Sequence, residues 1–233
     1  MKRRLLFAFW LLCGLALPLS VLRPETSSAS KLLTLAALFG LLTIPLTVAW
    51  PYRRALALVL ASYALVLVGL QLPVRTPDSA SLRAAYLAEL RTWDGAHYVW
   101  GGENHRGIDC SGLVRKALVD ATANEAVRRM DPGLARRALE LWWFDASAEA
   151  LGQGYRGWTH EVTRANDFLS LDASLLREGD LAVTQDGLHV LAYLGDSTWI
   201  QADPTPMRVH VDRVSATGWF TRPIVIMRWR ALE

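Results

Sequence analysis

The distribution of apolar and polar positions divides the chain near Val74. Before it, three stretches run without a charged residue: Leu5 to Leu22, Leu32 to Trp50 and Ala55 to Leu72. Each is 18 or 19 residues long, close to the roughly 20 helical residues that cross about 30 Å of hydrocarbon. None carries the polar face that a soluble helix shows every two turns. The pattern predicts three transmembrane helices over 5–22, 32–50 and 55–72, which together form a membrane anchor over 1–73. For the first run a second reading stands open, because MKRR followed by apolar residues also begins a secretory signal, with cleavage near SSAS at 27–30.

Beyond the anchor the periodicities change. PVRTPDSAS is rich in Pro and Ser and predicts a linker over 74–81. In LRAAYLAELRTW, Leu82, Tyr86, Leu90 and Trp93 recur at near-helical spacing, with Asp78 or Ser79 available as a cap. GIDCSGLVRKALVD predicts a second helix that starts at or beside Cys110, capped by Asp109, with Leu113, Val114, Ala117 and Leu118 as its buried stripe. Strand alternation follows at Asp180–Thr184, Leu188–Leu194 and Thr198–Ala202, the last two joined by a turn at Gly195-Asp196. Pro223–Trp229 reads as a final strand.

Composition sharpens the division. The 233 residues are 52% hydrophobic and 20% charged, with mean hydropathy +0.19, more apolar than an ordinary soluble domain. The net charge is +3, and its basic residues include Lys2, Arg3 and Arg4 ahead of the first run and Arg53 with Arg54 between the second and third. By the positive-inside rule both groups belong in the cytoplasm, and the chain leaves the third span on the outer side. These arginines are explained by orientation. No basic run with interleaved aromatics occurs, so nucleic acid is not an expected partner.

The candidate chemistry centres on the thiol. Cys13 falls in the first apolar run and Cys110 in the outer unit, which predicts that they stay unbridged. A thiol in the first turn of a helix feels the positive end of its dipole, which predicts a lowered pKa for Cys110. Gly107, Ser111 and Gly112 are expected to keep the approach to sulfur open, and Gly101 and Gly102 to permit backbone conformations closed to other residues. A cysteine nucleophile needs a base. His97, His105 and His160 lie in stretches that read as loops, whereas His189 sits on a predicted strand. A simple hairpin centred on residue 195 sets His189 opposite Gln201 on one face, where the amide oxygen can orient the imidazole. His97, His105, Asp109 and Cys110 match no common zinc spacing, so no metal is expected.

The segments YVWGG, GIDCSGLV, LREGDL, LHVLAYLGD and WIQA resemble, in order, those of the NlpC/P60 family of papain-like cell-wall peptidases. The resemblance covers roughly Ser81 to Asp203. It implies an α+β papain-like domain over 82–233, its nucleophile helix packed on an antiparallel sheet. It also implies Cys110 as nucleophile, His189 as general base and Gln201 as the residue orienting it. Tyr98 matches a family tyrosine near the nucleophile. With Asp109 and Ser111, it is a candidate for binding substrate or the oxyanion. The implied reaction is cleavage of amide bonds in peptidoglycan stem peptides through a thioester, with no metal or organic cofactor. The localisation that follows is a multi-pass protein of the bacterial inner membrane, its partners the bilayer and peptidoglycan peptides, its catalytic domain facing the periplasm or exterior. A related amidase or acyltransferase and an inactive wall-binding module are the competing readings.

One departure from the family stands out. An insertion at about 121–170 separates the nucleophile helix from LREGD, with a helix predicted around Leu134, Ala138, Leu141 and Trp142. Its aromatics Trp142, Trp143, Tyr155 and Trp158 are expected to pack an added core or line a groove, and the insertion is a candidate surface for a protein partner.

Overall fold

A computed structural model describes residues 2–49, 52–73 and 78–233. The three apolar runs form helices α1 (Lys2–Leu22), α2 (Ser28–Ala49) and α3 (Arg53–Gln71). Two of them, over Arg4–Leu22 and Ser28–Leu46, are long and apolar enough to cross a membrane. The apolar part of α3, Leu56–Gln71, is shorter than the expected span, since Arg53 and Arg54 take up its first turn. Most of the linker expected over 74–81 lies outside the described residues or belongs to the next helix, as does Trp50 at the end of the second run. Cys13 packs against Gly40 of α2, where any larger side chain would meet its sulfur.

The remainder is α+β. Helix α4 (Ser79–Thr92) begins at Asp78, whose carboxylate accepts from Ala80 N–H, and buries Leu82, Tyr86 and Leu90. A two-stranded ribbon, β1 (Glu103–Asn104) and β2 (Gly107–Ile108), leads into α5 (Cys110–Arg129). Helix α6 (Pro132–Trp143) and the short α7 (Ala148–Gly152) precede strands β3 (Thr159–Ala165), β4 (Leu181–Thr184), β5 (Val190–Gly195), β6 (Thr198–Asp203), β7 (Arg208–Arg213) and β8 (Ile224–Trp229). The six strands make one antiparallel sheet in the order β3-β8-β4-β5-β6-β7.

Alternation along each strand gives the sheet two apolar faces. Val190, Ala192 and Ile200 face α4 and α5 and join Leu90, Leu113 and Leu118 in the main core. Leu191, Tyr193 and Trp199 face away and pack with Phe168, Phe220 and Ile226. A bidentate pair from Arg228 to the buried Asp180, both bonds 2.7 Å, ties the end of β8 to the start of β4.

The insertion holds the expected helix as α6 and departs from the expected form at its two ends. Its first residues simply continue α5 to Arg129, and its last form β3, an edge strand that holds His160. Trp142 and Trp158 pack against the main core, and Tyr155 meets Trp158 edge-on at 5.5 Å.

Candidate active site

The glycine-rich segment before α5 is built by close backbone approach. Gly101 sits at φ +69°, the left-handed region that disfavours a side chain. A side chain on Gly112 would strike the carbonyl of Gly102, and one on Gly102 would strike that of Gly107. These glycines let the ribbon fold onto the start of α5. They do not open the thiol, because Cys110 is only 6% exposed.

Asp109 caps α5, its Oδ1 accepting from Gly112 N–H at 2.6 Å and from the Ser111 hydroxyl at 3.0 Å. Its Oδ2 accepts from Gly101 N–H at 2.8 Å. Both oxygens and the Ser111 hydroxyl are thus engaged in holding the loop. That makes them supports of the site more than contacts for a substrate.

The Cys110 thiol departs from expectation. Burial, reinforced by the Asp109 carboxylate, pushes it up to about 12. The backbone N–H groups of Val190, Ser111 and Cys110 pull the other way. The helix dipole is therefore present, but desolvation of the thiolate outweighs it. The Val190 N–H also places the sulfur beside the residue that follows His189.

His189 is 1% exposed. Its Nε2 meets Gln201 Oε1 at 2.8 Å, and burial depresses it to about 4 despite that bond. The pairing is diagonal, not directly opposed. Ala192 faces Ile200 and Tyr193 faces Trp199, so the hairpin is centred one residue later than expected. A bulge at Gly195 and positive φ at both Asp196 and Ser197 account for the shift. The face is preserved because the sum of paired positions changes by two.

Four polar neighbours of this pair did not emerge from the sequence. Gln201 Nε2 donates to Asp212 Oδ2 at 3.1 Å, and His210 Nδ1 stands 2.8 Å from the same oxygen. The other side of His210 lies 3.4 Å from Asp203 Oδ2. The indole of Trp219 stacks on His189 with ring centres 4.1 Å apart and donates to Asp203 Oδ1 at 3.2 Å. The polar chain thus closes on itself around the imidazole. His210 and Asp212 lie on β7, where alternation of Val209 and Val211 with polar residues was the available signal.

Tyr98 is buried, and its phenol is raised by burial first and by Cys110, Asp109 and Asp203 next, so it remains a proton donor. His97 pairs in the backbone with Arg208, His105 stacks on Trp93 at 4.3 Å, and His160 lies 3.4 Å from Glu233. A cleft of about 690 Å³ opens beside Gln201, Asp203, Asp212, Arg213 and Trp219. Among the described residues no cluster of three or more His, Cys, Asp or Glu side chains is arranged to hold a metal ion.

A sequence model of the NlpC/P60 family matches residues 95–228, more than half of the chain. Solved structures similar to it include an NlpC/P60 family protein from Bacillus cereus, at 17% identity and TM-score 0.43, covering 67% of this chain and 41% of that one. The NlpC/p60 domain of peptidoglycan hydrolase SagA is similar at 25% identity and TM-score 0.36, covering 62% and 97%. The peptidoglycan hydrolase RipB from Mycobacterium tuberculosis is similar at 20% identity and TM-score 0.38, covering 78% and 88%. The chain therefore spans less than half the length of the Bacillus cereus protein. No curated protein matches.

Proposed function

Since the chain belongs to the NlpC/P60 family, we propose that it is a membrane-anchored cysteine endopeptidase that cuts amide bonds in peptidoglycan stem peptides. One juxtaposition supports the reading most. The Cys110 sulfur lies at the first turn of α5 against the N–H of Val190, the residue after His189, and the His189 ring is bound through Nε2 to Gln201.

The chemistry follows from that bond. Gln201 Oε1 can only accept, so His189 carries its proton on Nε2 and keeps the lone pair of Nδ1 for the thiol. With the thiol raised and the imidazole lowered, the resting pair is neutral on both sides. His189 takes the Cys110 proton as sulfur attacks the scissile carbonyl carbon. The Cys110 N–H and the Tyr98 hydroxyl are donors for the oxyanion. Collapse forms a thioester and expels the amine, which takes the proton from His189. Water, deprotonated by the same imidazole, then releases the acid and restores the thiol.

Anchoring is supported by the faces of the three apolar helices. Leu5, Phe7, Phe39, Leu58 and Leu65 are each more than 60% exposed, a continuous apolar exterior of the kind that needs a lipid or protein cover. In the proposed arrangement all three helices cross the inner membrane and the catalytic unit stands outside it.

The test is a digest of defined muropeptides by the full-length protein in detergent under reducing conditions, read by mass spectrometry. Shortened stem peptides are expected from the wild type and none from Cys110→Ala. Intact muropeptides in the wild-type reaction would overturn the substrate assignment, and an acyl group trapped on Cys110 would identify the alternative.

A further inference from the structure

The turn between α1 and α2 lies against the loop that leads to Cys110. Thr26 N–H donates to Gly101 O at 2.9 Å, Glu103 N–H donates to Pro24 O at 3.0 Å, and Glu25 bridges Gly102 in antiparallel register. The Asn104 amide donates to Val21 O at 3.2 Å and also to Arg23 O. The turn therefore adds a short strand to the glycine segment. That segment is the one that holds Asp109, through Gly101 N–H and through the Asp109 N–H, which donates to Gly102 O at 3.1 Å.

An independent feature fastens the same contact. Lys31, near the start of α2, is 1% exposed and pairs with Asp145 and, at 3.9 Å, with Glu103 of β1. Arg115, 2% exposed, pairs with Glu103 and, at 3.1 Å, with Asp145. It also donates to the carbonyls of Leu141 and Phe144. Two cations and two carboxylates cancel, which offsets the desolvation of Lys31, Arg115 and Glu103, while Asp145 keeps about half of its side chain in solvent. Arg115 is on α5, five residues beyond Cys110. The cluster thus joins an apolar helix, the site ribbon and the helix that carries the thiol.

We propose that Lys31 is a positioning residue for Cys110: by locking the α1–α2 turn onto Gly101–Asn104 it fixes the Asp109 cap and the thiol relative to His189, so the apolar hairpin belongs to the catalytic apparatus. The proposal rests on Cys110 being the nucleophile. Its energetic logic is that the ribbon is only two residues on each strand, too short to hold its own geometry without a neighbour. A misplaced nucleophile is costly even at small displacements.

The experiment uses full-length protein in detergent and compares wild type, Lys31→Met, Lys31→Arg and Thr26→Pro. Hydrogen exchange over 99–112 is read beside kcat and KM for muropeptide cleavage. Lys31→Met is expected to speed exchange at 101–110 and to lower kcat about 10-fold with KM little changed. Lys31→Arg restores both. Thr26→Pro, which removes one N–H donor without touching the charges, is expected to act like Lys31→Met. Unchanged exchange over β4 to β8 certifies that each variant is folded. The proposal is overturned if Lys31→Met and Thr26→Pro leave exchange at 101–110 at the wild-type rate, or if the segment loosens while kcat holds. Should the wild type show no turnover, the peptidase reading fails, and the exchange comparison alone decides whether the hairpin braces the segment.

Discussion

Asp212 decides which way Gln201 points. A carboxylate accepts and cannot donate, so the amide nitrogen of Gln201 must face Asp212 Oδ2 and the amide oxygen must face His189. A flipped amide would donate to Nε2 and move the imidazole proton to Nδ1, where the thiol needs a lone pair. Asp212→Leu is therefore expected to lower kcat by about 10- to 100-fold, the usual cost of losing an orienting partner, with KM little affected. Gln201→His in the same background, oriented by its own ring, is expected to recover part of the loss. Steady-state kinetics on the wild type, Asp212→Leu and the double variant checks both. The pH dependence has a definite sign. His189 lies at about 4, so kcat/KM is expected to hold through neutrality and to fall only as acid protonates Nδ1 near pH 4. Trp219 covers one face of that ring, and Trp219→Ala admits water. The acid limb should then move up toward the ordinary 6.5, visible in a pH profile of kcat/KM. The candidates were legible from local pattern, Cys110 from the helix start that Asp109 caps and His189 with Gln201 from the two-residue alternation of strands joined by a tight turn. Asp212, Trp219 and Asp203 were not, because their contributions depend on which strands become neighbours.

At the scale of elements, the glycine segment shows why a motif was easy to find and its purpose easy to misread. Four glycines around a thiol looked like access, yet three of them are small because backbone carbonyls or a side chain press against them. Gly112→Ala is expected to force the Gly102 carbonyl and the Asp109 cap apart, at about 1–3 kcal/mol of stability, read from chemical denaturation of the full chain. The start of α5 was legible from Asp109 and from the stripe of Leu113, Val114, Ala117 and Leu118, all buried as expected. The insertion was less so. Thr159–Ala165 alternates only weakly because one of its edges is open to solvent, and an edge strand needs little apolar patterning. The helix expected near Leu134 is present as α6, and its Arg136 donates to Leu70 O at 2.7 Å. That part of the insertion packs on α3 of the same chain.

At the scale of the molecule, the contacts between the apolar helices and the catalytic unit fit the proposed orientation. The catalytic unit touches the hairpin at Val21 to Thr26 and touches α3 near Gly69 and Leu70. Those are the ends opposite Arg4 and Arg53, which the positive-inside rule assigns to the cytoplasm. A cytoplasmic catalytic unit would require both arginine turns to be translocated. The arrangement also bears on the alternative of a cleaved leader, because removal of residues up to 30 would take away α1 and the Pro24 and Thr26 contacts that brace the site. Labelling from outside intact cells separates the outcomes. With Cys13 and Cys110 replaced, Asp167→Cys is expected to react with a membrane-impermeant maleimide and Tyr52→Cys to react only after permeabilisation. Intact mass of the purified chain should retain the N-terminal residues. Labelling of Tyr52→Cys in intact cells would reverse the orientation. A chain beginning near residue 30 would leave the catalytic unit on the same side, since α2 and α3 still enter and return, but it would remove the brace. Such a chain would have to hold Gly101 and Asp109 by other means, and the exchange rate of the 101–110 amides in it would show whether it does.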